Sequence, residues 1–240
     1  MTGPPDMGEV VLWTIDLDRT APDASILTAQ ERARGDAFRF DSDRRRFLAG
    51  RTARRVILAG AMGRAPADLV FLEGGGAKPR LSKASADLDF SFSRSGGRAL
   101  LAVSIGCAIG VDVEAIAETG DLELVVDAHF APVERHHLNS LSGPDRLEAF
   151  YRLWTAKEAA VKATGEGIVG DLKKVAFTIG DQMSIADEPS RLLKLVPLAD
   201  ARTSRPAGEA VSLRMDWSGP VAACVLTARA IKTISLRALQ

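Results

Sequence analysis

Between Phe150 and Gly167 the chain reads Phe-Tyr-Arg-Leu-Trp-Thr-Ala-Lys-Glu-Ala-Ala-Val-Lys-Ala-Thr-Gly-Glu-Gly, a run whose apolar spacing is helical and is broken by charge at one point. On a helical period Leu147, Tyr151, Trp154 and Val161 share one stripe, and Glu158 falls on the same stripe. A carboxylate facing a core costs several kcal/mol unless something compensates it, so a cation is expected beside Glu158. Lys162, one turn on, can supply part of that compensation. Taken alone, the helix reads as a core element carrying a partly buried ion pair and no chemistry.

An earlier segment changes that balance. In Gly110-Val-Asp-Val-Glu114, strict alternation places Val111 and Val113 on one face of a strand and Asp112 and Glu114 on the other, ~7 Å apart. At an effective dielectric near 20 their repulsion is about 2 kcal/mol, tolerable in water and awkward in a cleft without a cation. A bare Asp-x-Glu strand also reads as an exposed face. Together with Glu158, however, the pair makes an all-oxygen set suited to Mg²⁺, which binds through a few carboxylates, waters and substrate phosphates. Zinc does not fit, since neither thiols nor imidazoles cluster with these residues.

Gly110-Val-Asp-Val-Glu114, followed after forty residues by Trp154-x-x-Lys157-Glu158-x-x-x-Lys162, resembles the 4′-phosphopantetheinyl transferases of the long, surfactin-synthetase-activating type. Either motif alone is weak; the order and the distance make the match specific. The resemblance implies that Asp112, Glu114 and Glu158 are metal ligands for Mg²⁺. Glu158 and Lys162 are then the catalytic pair, the carboxylate accepting the proton of an acceptor serine and the ammonium meeting the leaving phosphate. It leaves Lys157 a structural role.

The same resemblance extends toward the N-terminus. From Arg32 to Arg55 nine arginines stand against three aspartates, in a chain whose 31 basic and 31 acidic residues cancel. Most such runs are solvated helix faces, yet Arg44, Arg51 and Arg55 fall on one side of a helix expected from Asp43 to Ala59, a guanidinium stripe that suits phosphate. Arg46-Phe-Leu-Ala-Gly50 resembles the family's R-x-L-x-G pattern, which implies coenzyme A phosphate contacts for Arg46 first and Arg51 second. Glu73-Gly-Gly-Gly-Ala-Lys78-Pro reads as a turn without P-loop spacing; it resembles the family's Gly-Lys-Pro with one residue added, which assigns Lys78 to coenzyme A. Phe90-Ser-Phe-Ser-Arg-Ser95 resembles F-N-x-S-H-S and adds Ser93 and Arg94, with Arg94 standing where the family has histidine. Guanidinium can keep a phosphate contact but cannot carry a proton near neutral pH.

With 46% hydrophobic and 26% charged residues the 240-residue chain is not disordered and can bury one large core or two modest ones. Zero net charge argues against a long nucleic acid as partner. No apolar run approaches a membrane span and no signal peptide is visible, so a cytoplasmic protein is expected. Cys107 and Cys224 lie in apolar runs and read as reduced core residues. His136 and His137 read as a solvated helix face.

Strands are expected at 10–16, 70–72, 88–95, 99–104, 108–114, 175–179, 212–217, 221–227 and 233–236. Helical stretches are expected at 23–38 and 122–141, and 197–209 reads as a surface loop. A shift of 103 aligns Phe47 with Phe150, Thr52-Ala-Arg54 with Thr155-Ala-Lys157, and Asp68-Leu69 with Asp171-Leu172. Each half reads as a helix followed by antiparallel strands, which favours two related α+β lobes over one parallel sheet. The resemblance implies the 4′-phosphopantetheinyl transferase fold, two similar lobes related by a pseudo-twofold. We draw them as residues 1–116, with the arginines and the Asp-x-Glu strand, and 117–240, with the long helix.

The implied function is Mg²⁺-dependent transfer of the 4′-phosphopantetheine arm of coenzyme A to a serine of an apo acyl or peptidyl carrier protein, releasing adenosine 3′,5′-bisphosphate, by a monomer that completes its own site. The alternatives are a catalytically inactive carrier-protein or nucleotide-binding module of the same fold, and a Mg²⁺-dependent phosphohydrolase. The latter leaves the Trp154 to Lys162 pattern unexplained.

Overall fold

The computed structural model describes residues 4–74, 78–82, 87–165, 172–184, 191–198, 209–216, 219–228 and 233–239. Gly75 to Ala77 of the glycine-rich turn, Gly167, Asp171, Trp217 and most of the loop expected at 197–209 lie outside the described residues. The elements run β1 (Glu9–Asp16), α1 (Ala29–Asp36), α2 (Asp41–Met62), β2 (Phe71–Leu72), β3 (Arg80–Leu81), β4 (Leu88–Ser95), β5 (Arg98–Ile105), β6 (Ile109–Ala115), α3 (Leu122–His129), α4 (Pro132–Asn139), α5 (Gly143–Thr164), β7 (Ala176–Ser184), β8 (Arg191–Leu198), β9 (Glu209–Asp216), β10 (Pro220–Thr227) and β11 (Thr233–Ala238). The chain is α+β, as expected. Among the described residues no helix is long and apolar enough to cross a membrane.

Contacts divide the chain into two units, and the division corrects the boundary expected after residue 116. The first unit is Met1–Gly75, Pro79–Cys107 and Ile231–Gln240; the second is Gly76–Lys78 and Ala108–Ala230. In the first, a four-stranded sheet has the order β11-β1-β5-β4, with β11 parallel to β1, so this sheet is mixed rather than antiparallel. Gly96, at φ 55°, and Gly97 turn β4 into β5, since a two-residue hairpin needs positive φ. In the second, β6-β10-β9-β8-β7 is antiparallel throughout, so β6 pairs with β10 and not with the strand before it in sequence. Its apolar residues Val111 and Val113 are fully buried.

Both units rest on a 22-residue helix ended by a left-handed glycine, Gly63 after α2 and Gly165 after α5. Both also use one buried charge device, and its parts are 103 residues apart. In the first unit Thr28 caps α1, Glu31 answers its backbone N–H, and the Glu31 carboxylate then meets Arg55 at 2.8 Å and Arg54 at 3.6 Å. Arg55 also donates to the carbonyl of Leu69 at 2.8 Å. In the second unit Glu134 accepts from the N–H of Ala131 at 2.7 Å and meets Lys157 at 2.7 Å. Lys157 donates to the carbonyls of Leu172 and Val175, and Glu134 also takes the N–H of Phe177, so one buried pair ties α4, α5 and the start of β7. Lys157 is thus structural, as expected.

α5 packs on β6 and β10, but its buried side is not the stripe read from sequence. Ala149, Phe150, Leu153, Ala156 and Ala160 are the core residues, whereas Leu147, Tyr151, Trp154, Glu158 and Val161 are half-buried. The small side chains let strand and helix close together, and the large ones stand at the margin of the contact. The helical stretch at 122–141 is two helices, because Pro132 opens α4 where α3 has ended.

The Lys157 and Glu134 side chains are both fully buried. Removing one partner leaves the other charge without compensation, so Lys157→Met is expected to lower unfolding free energy by about 3–5 kcal/mol, with Lys157→Met/Glu134→Leu recovering part of it. Urea unfolding of the two variants checks this; equal stability of Lys157→Met and the unsubstituted protein would contradict it.

Candidate active site

The second unit brings three of the expected residues together. Gly110 opens β6 against α5 so closely that a Cβ there would lie 1.8 Å from the carbonyl oxygen of Ala159 and 2.7 Å from the amide of Ala163. Only glycine permits that approach. Two residues on, on the same face of β6, Asp112 is 2% exposed and its Oδ1 accepts from the Lys162 ammonium at 2.5 Å. Lys162 therefore pairs across to the strand, and not simply along the helix with Glu158.

Glu158 sits one turn before Lys162 and is half-buried. Burial first, and then the Asp112 carboxylate, push its pKa above the usual carboxylate value, while Lys162 pulls it down. Two carboxylates and one ammonium thus share a small region in which the positive charge is outnumbered. Asp112 Oδ2 is buried and accepts no hydrogen bond among the described residues. Glu114 lies two residues after Asp112 on β6, half-buried, with its backbone opposite Ala222. Among the described residues no three His, Cys, Asp or Glu side chains gather closely enough to hold a metal as they stand. Asp112, Glu158 and Lys162 are assembled, and Glu114 follows Asp112 on the same face of β6.

Trp154 is one turn before Glu158 and packs parallel to Phe130 and Phe150, with ring centroids 6.3 and 6.4 Å away, beside His129 at 5.7 Å. The motif tryptophan therefore anchors α5 in an aromatic cluster. Lys78, also in this unit, donates to the carbonyl of Ile109 at 2.7 Å, at the entry to the Gly110 to Glu114 segment. Cys224, opposite Asp112 on β10, is buried and its thiol pKa is pushed upward by burial. Cys107 is only half-buried, unlike the core residue expected.

The arginines lie in the first unit. Arg46 is held by Asp18, Nε to Oδ1 at 2.7 Å. Arg51 is held by Glu73 and lies 5.0 Å from the Phe47 ring centroid. Arg55 is not part of an exposed stripe: its side chain is 1% exposed and bound to Glu31. Ser93 is buried and Arg94 exposed, on opposite faces of β4. Sequence reasoning missed Glu31 and Glu73, which hold Arg55 and Arg51, and Glu134, which holds Lys157 in the second unit. Thr28-x-x-Glu31 is a capping-box pattern and could have located the first; no local signal marks the other two.

Comparison with known sequences agrees with these motifs. The 4′-phosphopantetheinyl transferase superfamily profile matches residues 108–203. The 4′-phosphopantetheinyl transferase HetI of Nostoc sp. is 38% identical over 197 residues, covering 79% of this chain and 83% of its own length. The 4′-phosphopantetheinyl transferase AcpT of Salmonella typhimurium is 32% identical over 165 residues, covering 69% of this chain and 77% of its own. A Bacillus subtilis 4′-phosphopantetheinyl transferase is 28% identical over 162 residues, covering 68% and 70%.

The raised pKa of Glu158 fixes the sign of a pH effect. The folded protein holds this proton better than the unfolded chain, so the contribution is full below the ordinary value of 4.5 and is lost as pH rises through the folded value. Glu158→Gln, which cannot ionise, is expected to have the higher Tm in chelator at neutral pH, the gain shrinking as pH falls toward 4.5. Identical melting curves for the two proteins across that range would contradict the geometry.

Proposed function

Since the chain belongs to the 4′-phosphopantetheinyl transferase superfamily, we propose that it moves the 4′-phosphopantetheine arm of coenzyme A onto a serine of an apo acyl or peptidyl carrier protein and releases adenosine 3′,5′-bisphosphate. The observation that carries this reading is the junction of Asp112, Glu158 and Lys162 where Gly110 lets β6 meet α5.

The donor set fits Mg²⁺. The mutual repulsion of Asp112 and Glu158 supports a hard cation there, and Asp112, Glu114 and Glu158 would hold it. When bound it supplies positive charge to the diphosphate of coenzyme A. The chain's own residues do the rest. Glu158, in its ionised form and made more basic by burial and by Asp112, takes the proton of the attacking serine. The serine oxygen forms a bond to the phosphorus that carries the pantetheine, and the bond from that phosphorus to the oxygen of the adenosine-bearing phosphate breaks. Lys162 meets the charge that gathers on this leaving phosphate, as a cation or as the proton donor. Arg46, Arg51, Lys78, Ser93 and Arg94 bind the coenzyme A phosphates, Arg94 by fixed charge where the family has a titrating imidazole.

The reading includes a pseudo-twofold pairing of two similar lobes, supported by the ion pairs Glu31–Arg54 and Glu134–Lys157, whose members stand at a constant offset. It includes a monomer acting in the cytoplasm, with the free thiols of Cys107 and Cys224 in keeping with a reducing compartment. The test is to incubate the protein with coenzyme A, Mg²⁺ and an apo carrier protein and to weigh the carrier. A mass gain of one phosphopantetheine group is expected with the unsubstituted protein and a loss of most of it with Glu158→Gln. No gain despite measurable coenzyme A binding would leave a binding module instead.

A further inference from the structure

In the first unit, among the described residues, guanidinium outnumbers the carboxylates that it meets around α1 and α2. Arg34 on α1 and Arg51, Arg54 and Arg55 on α2 converge on two carboxylates, Glu31 and Glu73. The two acids are not equivalent. Glu31 has a side chain 11% exposed, and it is committed to Arg55 at 2.8 Å and to the backbone that it caps at Thr28. Glu73 stands at the mouth, 28% exposed, just after β2, and takes Arg54 at 2.6 Å, Arg51 directly and Arg34 at 3.8 Å.

Arg51 and Arg54 are built in, with side chains 14% and 4% exposed, while Arg34, 66% exposed, and the outer anion are not. Arg51 and Arg34 lie 5.0 and 5.8 Å from the Phe47 ring centroid, and Arg54 lies 3.9 Å from that of Phe71. The Arg54 side chain is 4% exposed and its Nε is buried with no hydrogen bond among the described residues. Four guanidiniums against two carboxylates leave net positive charge at a partly dry place. A monoanion such as Glu73 neutralises only part of it, whereas a phosphate monoester brings two charges and three acceptor oxygens.

We propose that Glu73 is an internal stand-in for a phosphate group: its carboxylate fills the Arg34, Arg51 and Arg54 bay in the free protein, gives way when a phosphate dianion enters, and thereby sets the affinity for the phosphorylated substrate. This rests on the coenzyme A reading above, in which Arg51 meets a substrate phosphate. Glu73 is a positioning residue and takes no part in bond making. Among the described residues nothing lies within 4 Å of where a Cβ of the next residue, Gly74, would stand.

The experiment uses the full chain with Glu73→Gln, which keeps shape and removes charge. Calorimetry with coenzyme A is expected to show about tenfold tighter binding than in the unsubstituted protein, because the competitor has lost its charge. In phosphate-free buffer the variant is expected to melt earlier, since its arginines have lost a counter-ion. Inorganic phosphate should restore the Tm, with a larger shift than in the unsubstituted protein, and chloride at equal ionic strength should not. Equal or weaker coenzyme A binding, or a lost Tm that phosphate does not restore, would overturn the proposal and make Glu73 a plain structural counter-ion. Should Glu73→Gln not fold even in phosphate, Glu73→Asp, whose shorter arm retreats from the bay, is read by the same two measurements with the same outcomes. Carrier-protein transfer by the unsubstituted protein is scored separately, so a working transferase whose Glu73 variants bind no tighter defeats this inference alone.

Discussion

The site depends on a backbone meeting a backbone. β6 reaches the carbonyl of Ala159 and the amide of Ala163 at a distance that no side chain at Gly110 could survive, and α5 presents Ala156, Ala159 and Ala160 along the same contact. The register of everything downstream follows. With Gly110 seated, strand alternation aims Asp112 at the Lys162 turn of α5, and the helical repeat puts Glu158 one turn earlier. The Gly-x-Asp-x-Glu motif is thus a packing instruction followed by its chemical payload.

Charge does two kinds of work on α5, and burial separates them. Lys157 is fully buried with Glu134 and two carbonyls satisfied, so it holds α4 and β7 to the helix and has no capacity left for a substrate. Lys162, five residues later, is 27% exposed and meets the Asp112 carboxylate across on β6. The first pair resembles the Glu31 device of the other unit, whereas among the described residues no ion pair at the same offset in the first unit matches the second.

Much of this was legible because it is local. The β4 to β5 hairpin follows from Gly96-Gly97, the face shared by Asp112 and Glu114 from alternation, and the structural role of Lys157 from the motif it belongs to. What failed was non-local. The sheet that β6 joins is decided by β10 and α5, which come later in the chain, and β11 returns to pair with β1 from the far end. The stripe on α5 was misread because periodicity weighs large apolar residues, while a close strand contact selects alanine. β8 was missed because Pro197 marks a loop in sequence; it sits opposite Phe177 of β7, beyond the last β9 pair at Leu195, where its missing N–H is not needed. The acids that hold Arg46, Arg51 and Arg54 lie in Asp18 and Glu73, outside the arginine run that drew attention.

The account stands most directly on Gly110→Ala, with the initial rate of phosphopantetheine transfer to an apo carrier protein measured at a temperature where circular dichroism shows the variant still folded. The added methyl must push β6 from α5 and carry Asp112 away from Lys162 and Glu158. A displacement of that kind predicts a rate lower by about a hundredfold or more, together with a lower Tm. Transfer at the unsubstituted rate with an unchanged Tm would contradict it, since the contact that assembles the site would then be dispensable.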